Sequence, residues 1–366
     1  MKIIHLIVAA RPNFMKVAPL YYMLKNESWC VPMIIHTGQH YDIDMSDAFF
    51  RDLNMPEPTV HLGVGNGTHA EQTGSVMIAY EKVCITHRPD LTLVVGDVNS
   101  TMACAITAKK LMIPVAHLEA GLRSRDWSMP EEVNRVVTDS ISDLLLTPSP
   151  DADENLIGEG VPQERICFVG NIMMDSYEML RDSIKGRDAA REYGVIRGGF
   201  AVVTLHRPSN VDSKDSLAEI CAILTRLAER IPVVFPVHPR TKDRLTRFGF
   251  WDYVYKARDI HLLPPIGYIQ FMSLIGDCKF VITDSGGVQE ETTYLGIPCL
   301  TLRPNTERPI TVRQGTNRLV TCHTIEQYLN DILEGLFPEG TRPDFWDGKT
   351  AGRVAAKLRS FMGAGV

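Results

Sequence analysis

Four polar residues stand directly after short apolar segments, where the strands of a parallel sheet would end. They are Asp97 in VVGDVNST, Glu119 in AHLEAGLR, His206 in TLHRPSN and His238 in PVHPRT. One such residue is more often a cap or turn former, but strand order would direct four of them into one cleft, with Glu131 and Glu132 of MPEEVNR. Repulsion and burial would raise the pKa of one carboxylate there, so that one carboxylate acts as a base and another as an acid. Glu131 could instead form only an i,i+4 ion pair with Arg135.

A second group of residues is suited to a phosphate. The segment DSGGVQEE, residues 284–291, leaves an apolar run, turns on two glycines and enters a helix. Backbone N–H groups at a helix N-terminus favour a phosphate or diphosphate, and those placed here belong to Ser285, Gly286 and Gly287. Glu291, about one helical turn further on, could accept hydrogen bonds from a ribose diol. The alternative is that the segment is only an N-cap with a tight turn.

Three cations could contact the same anion. Arg308 lies in the Pro-bounded loop RPNTERP, where a guanidinium could clamp phosphate oxygens in a bidentate manner. Arg11 and Lys16 belong to ARPNFMK near the start of the chain. All three could also be ordinary solvated surface cations.

The elements that position these residues alternate along the whole chain. Short runs rich in Val and Ile alternate with longer amphipathic stretches, which is typical of βαβ units and a parallel sheet. In the first half we predict a strand over 91–95, a helix over 101–111 capped by Asn99 or Ser100, and a strand over 113–117. In the second half the predicted strands lie within 200–206, 232–238, 279–287 and 297–303. This pattern predicts an α/β fold with doubly wound, Rossmann-like sheets.

The length of 366 residues predicts two such domains, at about 150 residues each. A stretch rich in Pro, Gly and acidic residues, TPSPDADENLIGEGVPQERI, separates the halves. We predict an N-terminal domain over 1–168 that carries the catalytic carboxylates and a C-terminal, ligand-binding domain over 169–352. A C-terminal helix over about 353–366 can pack back on the first domain. We expect the strand ends of both domains to converge on a ligand in a cleft.

Composition and missing motifs exclude several classes of protein. The chain is 45% hydrophobic and 22% charged, as in an ordinary globular protein, and its net charge of −6 argues against a broad nucleic-acid surface. No GxGxxG or GxxxxGK loop follows a predicted strand, which argues against a dehydrogenase. The eight cysteines lack zinc-ligand spacing, so we expect buried thiols and no metal. The apolar N-terminal run is too short for a signal or membrane segment, so we expect a cytoplasmic protein.

Several motifs occur in one order along the chain: ARPNFMKVAPL, TGQH, GDVNST, HLEAGLRS, PEEVNR, HRPSN, PVHP, TDSGGVQEE and TERP. Most are weak individually, but the ordered set, from Ile3 to about Val320, resembles the non-hydrolysing UDP-N-acetylglucosamine 2-epimerase family. The resemblance implies two domains of the glycosyltransferase-B type, with UDP bound by the second. It also implies a homodimer, no nicotinamide or other cofactor, and interconversion of UDP-N-acetylglucosamine with UDP-N-acetylmannosamine.

The resemblance further implies roles for individual residues. It assigns catalytic carboxylates to Asp97, Glu119 and Glu131, with His206 beside the diphosphate. It assigns nucleotide contacts to Arg11, Ser285, Gly286, Gly287, Glu291 and Arg308, and places Lys16 and His238 near the cleft. These are residues that their types and spacing had already selected.

The chain departs from the family pattern at several positions. They are Asn13, where many members have Glu, Pro208 and Ser209, where others have Arg-Glu, and Arg240, where Asn is common. These differences keep UDP-linked diacetamido-glucuronic acid and deoxyhexosamines open as alternative sugars. Three other functions also stay open: a glycosyltransferase of the same architecture, a hydrolysing epimerase, and a UDP-sugar-binding protein without catalysis.

Regulation by substrate is a separate expectation. Members activated by a second substrate molecule use a Gln-His pair and an Arg-Gln pair. Gln39 and His40 match the first pair, but GNGTHAEQTG, residues 65–74, lacks the Arg of the second. The sequence therefore argues against activation by substrate.

Overall fold

The computed structural model of the protein describes residues 1–9, 11–38 and 53–364, with the backbone alone described at residues 11 and 12. The chain forms two compact units, which are Met1–Leu180 together with Asp344–Val366, and Arg181–Pro343. Each unit contains one parallel sheet with helices between its strands. This confirms the prediction of an α/β, two-domain, Rossmann-like chain.

The first unit contains a parallel sheet whose strands follow apolar runs of the sequence. Its strands are β1 (Lys2–Val8), β2 (Cys30–Gly38), β3 (Val60–Val64), β4 (Leu91–Val95), β5 (Val115–Leu118), β6 (Leu144–Thr147) and β7 (Ile166–Phe168). They lie side by side in the order β3-β2-β1-β4-β5-β6-β7. In the registers, Leu6 of β1 pairs with Ile34 on one side and Leu93 on the other. The order changes direction between β1 and β4, which is the switch point of a doubly wound sheet.

The second unit repeats this arrangement. Its strands are β8 (Ala201–Thr204), β9 (Val233–Pro236), β10 (Ile260–Leu263), β11 (Phe280–Thr283), β12 (Cys299–Leu302) and β13 (Asn317–Val320). Their order is β10-β9-β8-β11-β12-β13, with the switch point between β8 and β11. Val202 of β8 pairs with Val234 of β9 and with Val281 of β11.

Helices connect the strands of both sheets. They are α1 (Arg11–Lys25), α2 (His69–Thr86), α3 (Asn99–Lys110), α4 (Pro130–Ile141), α5 (Pro150–Gly158), α6 (Ile172–Lys185), α7 (Ala189–Glu192), α8 (Pro208–Val211), α9 (Lys214–Ala228), α10 (Pro239–Arg247), α11 (Trp251–Tyr255), α12 (Tyr268–Asp277), α13 (Gly286–Leu295), α14 (Ile310–Arg313), α15 (Ile325–Glu334) and α16 (Thr350–Phe361). A capping box of Thr68 and Glu71 begins α2. Proline occupies the first helical position of α4, α5 and α10, where its missing N–H costs no hydrogen bond.

Both cores lie between the sheets and their helices. Strands β4 and β11 are buried along their whole length, as expected for parallel sheets covered on both faces. In the second unit, Phe235, Phe280 and Leu224 belong to one large apolar cluster.

Within the described residues no helix combines the length and apolarity needed to cross a bilayer.

Two local predictions differ from the structure. Helix α3 begins at Asn99 after an N-cap at Val98, so neither Asn99 nor Ser100 caps it. Their side chains are used elsewhere, because Asn99 donates to Gln72 Oε1 over 3.0 Å and the hydroxyl of Ser100 bonds Thr37 over 2.8 Å. Strand β5 begins at Val115, after Pro114, rather than at residue 113.

The division between the units falls inside α6, between Leu180 and Arg181, and therefore after the predicted boundary near Phe168. The first half of α6 is tied to the first unit. The hydroxyl of Ser176 donates to the Met15 carbonyl. The carboxylate of Asp175 accepts from the backbone N–H groups of Thr350 and Ala351 over 3.1 and 2.8 Å. It thus caps α16, whose own N-cap residue makes no side-chain cap bond.

Candidate active site

The switch point of the first sheet brings together α1, the turn after β4 and the turn after β5. A Cβ atom added to Gly96 would lie 3.3 Å from Lys16 Nζ and 3.4 Å from Glu119 Oε2. Gly96 also has φ of +70°, a conformation that favours glycine. A glycine after β4 therefore lets the backbone approach the side chains of Lys16 and Glu119 closely.

Glu119 is held in an unusual state. It is only 4% exposed and has φ of +71°, which costs a residue with a side chain about 1–3 kcal/mol. Lys16 Nζ donates to its Oε2 atom. The other carboxylate oxygen, Oε1, is buried and has no hydrogen-bond partner among the described residues. A strained residue with an unsatisfied buried oxygen is expected at a functional site rather than at a structural one.

Asp97, the residue after Gly96, is held from α4. Arg135 Nη2 donates to Asp97 Oδ2 over 2.5 Å, and Asn134 Nδ2 donates to the Asp97 carbonyl over 2.8 Å. The Asp97 side chain is 31% exposed, whereas that of Glu119 is 3% exposed. The two carboxylates at this switch point therefore have different environments, as an acid and a base require.

The adjacent acids of α4 have separate roles. Glu132 is buried and accepts from the backbone N–H groups of Ser124 and Arg125 over 3.0 and 2.7 Å, and from Arg135 Nη1 over 2.7 Å. Burial alone would raise the pKa of Glu132, but these hydrogen bonds outweigh burial and lower it. Arg135 thus pairs with Glu132 and Asp97, and not with Glu131 at i,i+4. Glu131 is half-buried in the first turn of α4, where the helix N-terminus stabilises a carboxylate.

The switch point of the second sheet pairs a histidine with an aspartate. His206 Nδ1 lies 3.1 Å from Asp284 Oδ1. Asp284 also accepts from the backbone N–H groups of His206 and Arg207 and from Asn210 Nδ2 over 3.0 Å. Burial alone would raise the pKa of Asp284, but its contacts with His206 and Asn210 outweigh burial and lower it. The ionised carboxylate fixes the ring so that Nε2 is the nitrogen available to a ligand.

His238 lies beside this pair. Its ring centroid is 5.3 Å from that of His206, and its Nδ1 accepts from the Arg240 backbone N–H over 3.2 Å at the start of α10. Burial, followed by the neighbouring His206, lowers the pKa of His238. The Arg240 side chain is paired with Asp212.

The glycines of the second unit are positioned as a helix N-terminus. Ser285 is the N-cap of α13 and makes no side-chain cap bond, so the first backbone N–H groups of the helix are not capped by it. A Cβ atom added to Gly286 would lie 2.6 Å from Arg308 Nη1 and 2.7 Å from Glu307 Oε1, whereas one added to Gly287 would meet nothing within 4 Å. A side chain at position 286 would therefore have to displace the ends of Arg308 and Glu307, whereas one at position 287 would not.

Arg308 is buried and lies against carboxylates, in contrast to the solvated loop arginine that sequence alone allowed. Its Nε lies 2.9 Å from Glu290 Oε2, and its Nη1 donates to Glu307. Arg303 pairs with the same Glu307 over 2.8 Å. Glu291 is 5% exposed in α13. A phosphate that binds Arg308 must therefore compete with carboxylates already in contact with it.

The predicted residues fall into one group in each unit. The first unit brings together Lys16, Asp97 and Glu119, with Glu131 on the helix that holds Asp97. The second unit brings together His206 with His238, and Ser285, Gly286 and Gly287 with Glu291 and Arg308. The side chain of Arg11 and the residues Gln39 and His40 lie outside the described residues.

Sequence reasoning missed the residues that orient these groups. For Asp284 the sequence suggested only the alternative of a helix cap, and for Arg135 only the alternative of an ion pair with Glu131. Asp284 directly follows a buried strand at the sheet's switch point, and that position was the available signal.

Comparison with known proteins decides the family. A family model described as UDP-N-acetylglucosamine 2-epimerase matches residues 23–359. The chain belongs to the UDP-N-acetylglucosamine 2-epimerase family. The family prediction made from the ordered motifs is therefore confirmed.

Individual members of this family are similar over most of their length. UDP-N-acetylglucosamine 2-epimerase of Methanocaldococcus jannaschii is 42% identical over 86% of this chain and 87% of its own. UDP-2,3-diacetamido-2,3-dideoxy-D-glucuronate 2-epimerase of Pseudomonas aeruginosa is 38% identical over 86% of this chain and 87% of its own. The crystal structure of the M. jannaschii UDP-GlcNAc 2-epimerase in complex with UDP-GlcNAc and UDP has a TM-score of 0.88 at 38% identity, covering 98% of this chain and 100% of that one. The names of these relatives include two different UDP-sugars.

Proposed function

We propose that this protein inverts C2 of UDP-N-acetylglucosamine to give UDP-N-acetylmannosamine, without net hydrolysis. The observation that carries the proposal is the state of Glu119. This residue is buried and has a positive φ, and only one of its carboxylate oxygens has a hydrogen-bond partner among the described residues. Asp97 stands one residue beyond Gly96, which adjoins Glu119, and is more exposed. Two carboxylates in unlike environments suit removal of a proton from one face of a carbon and its return to the other.

The reaction requires more than a base. C2 of the hexose is not next to a carbonyl, so its proton is barely acidic. When the anomeric C1–O bond breaks, UDP departs with the bonding electrons and the C2 proton becomes acidic. A base then removes that proton, and the C2–H electron pair forms the C1=C2 double bond of a glycal. Addition of UDP to C1, with protonation of C2 from the opposite face, gives the epimer.

Residues of the first unit would perform the proton transfers. We assign the base to Asp97, and acid and positioning roles to Glu119 and Glu131. Lys16 contacts Glu119 and keeps that carboxylate close to a positive charge. General acid–base groups of this kind contribute about 10²–10⁴-fold in rate.

Residues of the second unit would hold UDP and stabilise it as it leaves. We assign these contacts to His206, His238, Ser285, Gly286, Gly287, Glu291 and Arg308, with Arg11 from the first unit. The backbone N–H groups at the N-terminus of α13 are donors suited to a diphosphate, and the Nε2 nitrogen of His206 donates as well when the ring carries both protons. Loss of one donor would raise the barrier by about 3 kcal/mol.

Incubation in heavy water tests the proposal. The protein should place deuterium at C2 of UDP-N-acetylglucosamine with no added cofactor, while UDP-N-acetylmannosamine accumulates to equilibrium. Release of free N-acetylmannosamine and UDP would instead identify a hydrolysing epimerase. Absence of deuterium at C2 with every UDP-hexosamine would refute the proposal.

The sugar specificity has a specific competitor. One relative carries the name of a diacetamido-glucuronate 2-epimerase. Comparing kcat/KM for UDP-N-acetylglucosamine and for UDP-2,3-diacetamido-2,3-dideoxyglucuronate distinguishes the two substrates. A higher value for the glucuronate would replace the sugar in our proposal and leave the C2 chemistry unchanged. Product that forms only with an added acceptor would favour a glycosyltransferase.

We also propose that the protein is a homodimer, as the family resemblance implies. Light scattering coupled to size-exclusion chromatography measures its mass directly. A monomeric mass at micromolar concentration would contradict this.

A further inference from the structure

The imidazole of His117 on β5 is fully buried, and both of its ring nitrogens face oxygen atoms. Nε2 lies 2.9 Å from the carbonyl oxygen of Gly96, and Nδ1 lies 2.6 Å from Asp139 Oδ1. A carbonyl oxygen can only accept a hydrogen bond, so Nε2 carries a proton. The state of Asp139 decides whether Nδ1 carries one as well.

Asp139 is a carboxylate in this environment. Its Oδ2 atom accepts from Arg123 Nη1 over 2.7 Å and from the backbone N–H of Gly121 over 3.0 Å. Burial alone would raise the pKa of Asp139, but the interactions with His117 and Arg123 outweigh burial and lower it. An ionised carboxylate only accepts hydrogen bonds, so the Nδ1 atom of His117 is a donor too.

The surrounding charges balance a cationic ring. Arg123 pairs with Asp139 over 2.7 Å and with Glu159 over 2.7 Å, and both Arg123 and Asp139 are buried. With His117 positive, the cluster contains two cations and two anions. A buried cation is tolerated when its partners neutralise and hydrogen-bond it, as they do here.

The same hydrogen bonds anchor the two turns that carry the proposed catalytic carboxylates. His117 Nε2 bonds the Gly96 carbonyl, which immediately precedes Asp97. Asp139 bonds both the His117 ring and the Gly121 N–H, and Glu119 lies between these two residues in the chain. We propose that His117 is a doubly protonated positioning residue that holds the Asp97 turn and the strained Glu119 turn in their reactive geometry. Its positioning role rests on the proposed function of those carboxylates, whereas its protonation state does not.

His5 provides a matched control within the same sheet. It is also fully buried, but its Nδ1 atom contacts the Tyr80 hydroxyl over 3.1 Å and its Nε2 atom has no partner among the described residues. Burial, followed by the charge of His87, lowers the pKa of His5 to about 4. His5 on β1 is therefore a neutral ring, and its hydrogen bond to Tyr80 does not involve the turns that carry Asp97 and Glu119.

Nitrogen NMR of protein labelled with ¹⁵N-histidine measures the protonation state at neutral pH. We expect His117 to show two directly protonated ring nitrogens and His5 to show one. The signals are assigned by their loss in His117→Gln and His5→Gln. If the former does not fold, sequential backbone assignment of the wild-type protein identifies the same ring. A ring nitrogen of His117 without a proton would overturn the proposed state.

Kinetics test the positioning role. In folded His117→Gln, kcat for deuterium incorporation at C2 should fall by up to about 100-fold, since displacement of about 1 Å at a reacting group has that cost. KM for the UDP-sugar should change by less than about threefold, because the nucleotide contacts are untouched. Asp139→Asn should act in the same direction, and His5→Gln should lower the Tm without lowering kcat. An unchanged kcat in folded His117→Gln would contradict the role.

Failure of the proposed function would look different. If Asp97→Asn and Glu119→Gln both keep full exchange, the carboxylate assignment is wrong, and His117 cannot position them for catalysis. If both lose exchange while His117→Gln keeps it, only the positioning inference fails.

Discussion

The two sheets share the order of their first six strands, to which the first sheet adds β7, yet they treat an acid beside the switch point in opposite ways. In the first unit, Glu119 is strained and has a buried oxygen without a partner among the described residues. In the second unit, Asp284 accepts hydrogen bonds from His206, Arg207 and Asn210, and its pKa is lowered despite burial. The fold therefore supplies the position of a carboxylate, and its hydrogen bonds decide whether it can react or only orient a neighbour.

The largest effect that this comparison predicts concerns Glu119→Gln. The change keeps the shape but removes the proton-transfer group, so C2 exchange should fall by about 10²–10⁴-fold. The Tm should stay within a few degrees of the wild type, because Glu119 contributes backbone strain and its side chain bonds only Lys16 among the described residues, and the glutamine oxygen can still accept from Lys16 Nζ. Heavy-water exchange and thermal unfolding measure the two quantities. A large loss of stability with intact exchange would reverse the roles given to the two units.

The matched control is Glu132→Gln, an acid of the same unit with several donors. Glu132 accepts from Ser124, Arg125 and Arg135, so the amide should lose charge-assisted hydrogen bonds and lower the free energy of unfolding by about 1.5–3 kcal/mol. Equal loss of stability in Glu119→Gln and Glu132→Gln would show that Glu119 is merely structural.

Asp284→Asn tests the other side of the comparison. An amide nitrogen placed among the donors of His206, Arg207 and Asn210 leaves one of them unsatisfied, so the free energy of unfolding should fall by about 1.5–3 kcal/mol. His206 would also lose the carboxylate that fixes its ring, so kcat should fall in the protein that still folds. Urea denaturation and C2 exchange measure these effects. Full stability together with full activity would show that the hydrogen bonds of Asp284 are dispensable.

The parallel strands and the place of Asp97 and Glu119 after strand ends could be predicted from the sequence, because apolar runs locate strands and parallel strands end at one edge. Leu91–Val95 is a strand in both the prediction and the structure. What pattern alone does not reveal is which donors meet at a switch point. Arg135 reaches Asp97 across 38 residues, and His206 reaches Asp284 across 78. Such pairs depend on tertiary packing, so the reactive and the orienting acid look alike in sequence.

The adjacent glycines of the second unit separate packing from ligand binding. In Gly286→Ala the added Cβ would lie 2.6 Å from Arg308 Nη1 and 2.7 Å from Glu307 Oε1, so stability should fall by about 1–3 kcal/mol. In Gly287→Ala nothing lies within 4 Å, so stability should be unchanged. A bound diphosphate at this helix N-terminus would meet the new methyl group, and KM for the UDP-sugar should rise. Unchanged KM in Gly287→Ala would place the diphosphate elsewhere.

Acid pH should produce the smallest effect, and with opposite signs in the two units. The contacts of Asp284, chiefly with His206, lower its pKa. Its ionised form therefore stabilises the protein at pH values above the ordinary aspartate pKa of about 3.9. This stability is lost as pH falls through the lowered pKa. Burial instead raises the pKa of Asp175, which caps α16. As pH falls, the folded state therefore binds a proton at Asp175 before the unfolded state does, and the free-energy cost of burying the ionised carboxylate disappears. Between pH 6 and 3, the stability advantage of the wild type over Asp284→Asn should shrink, while that over Asp175→Asn should grow. Urea midpoints of the three proteins measure both trends, and a shift of the same sign in both comparisons would show that burial and hydrogen bonding do not separate these two carboxylates.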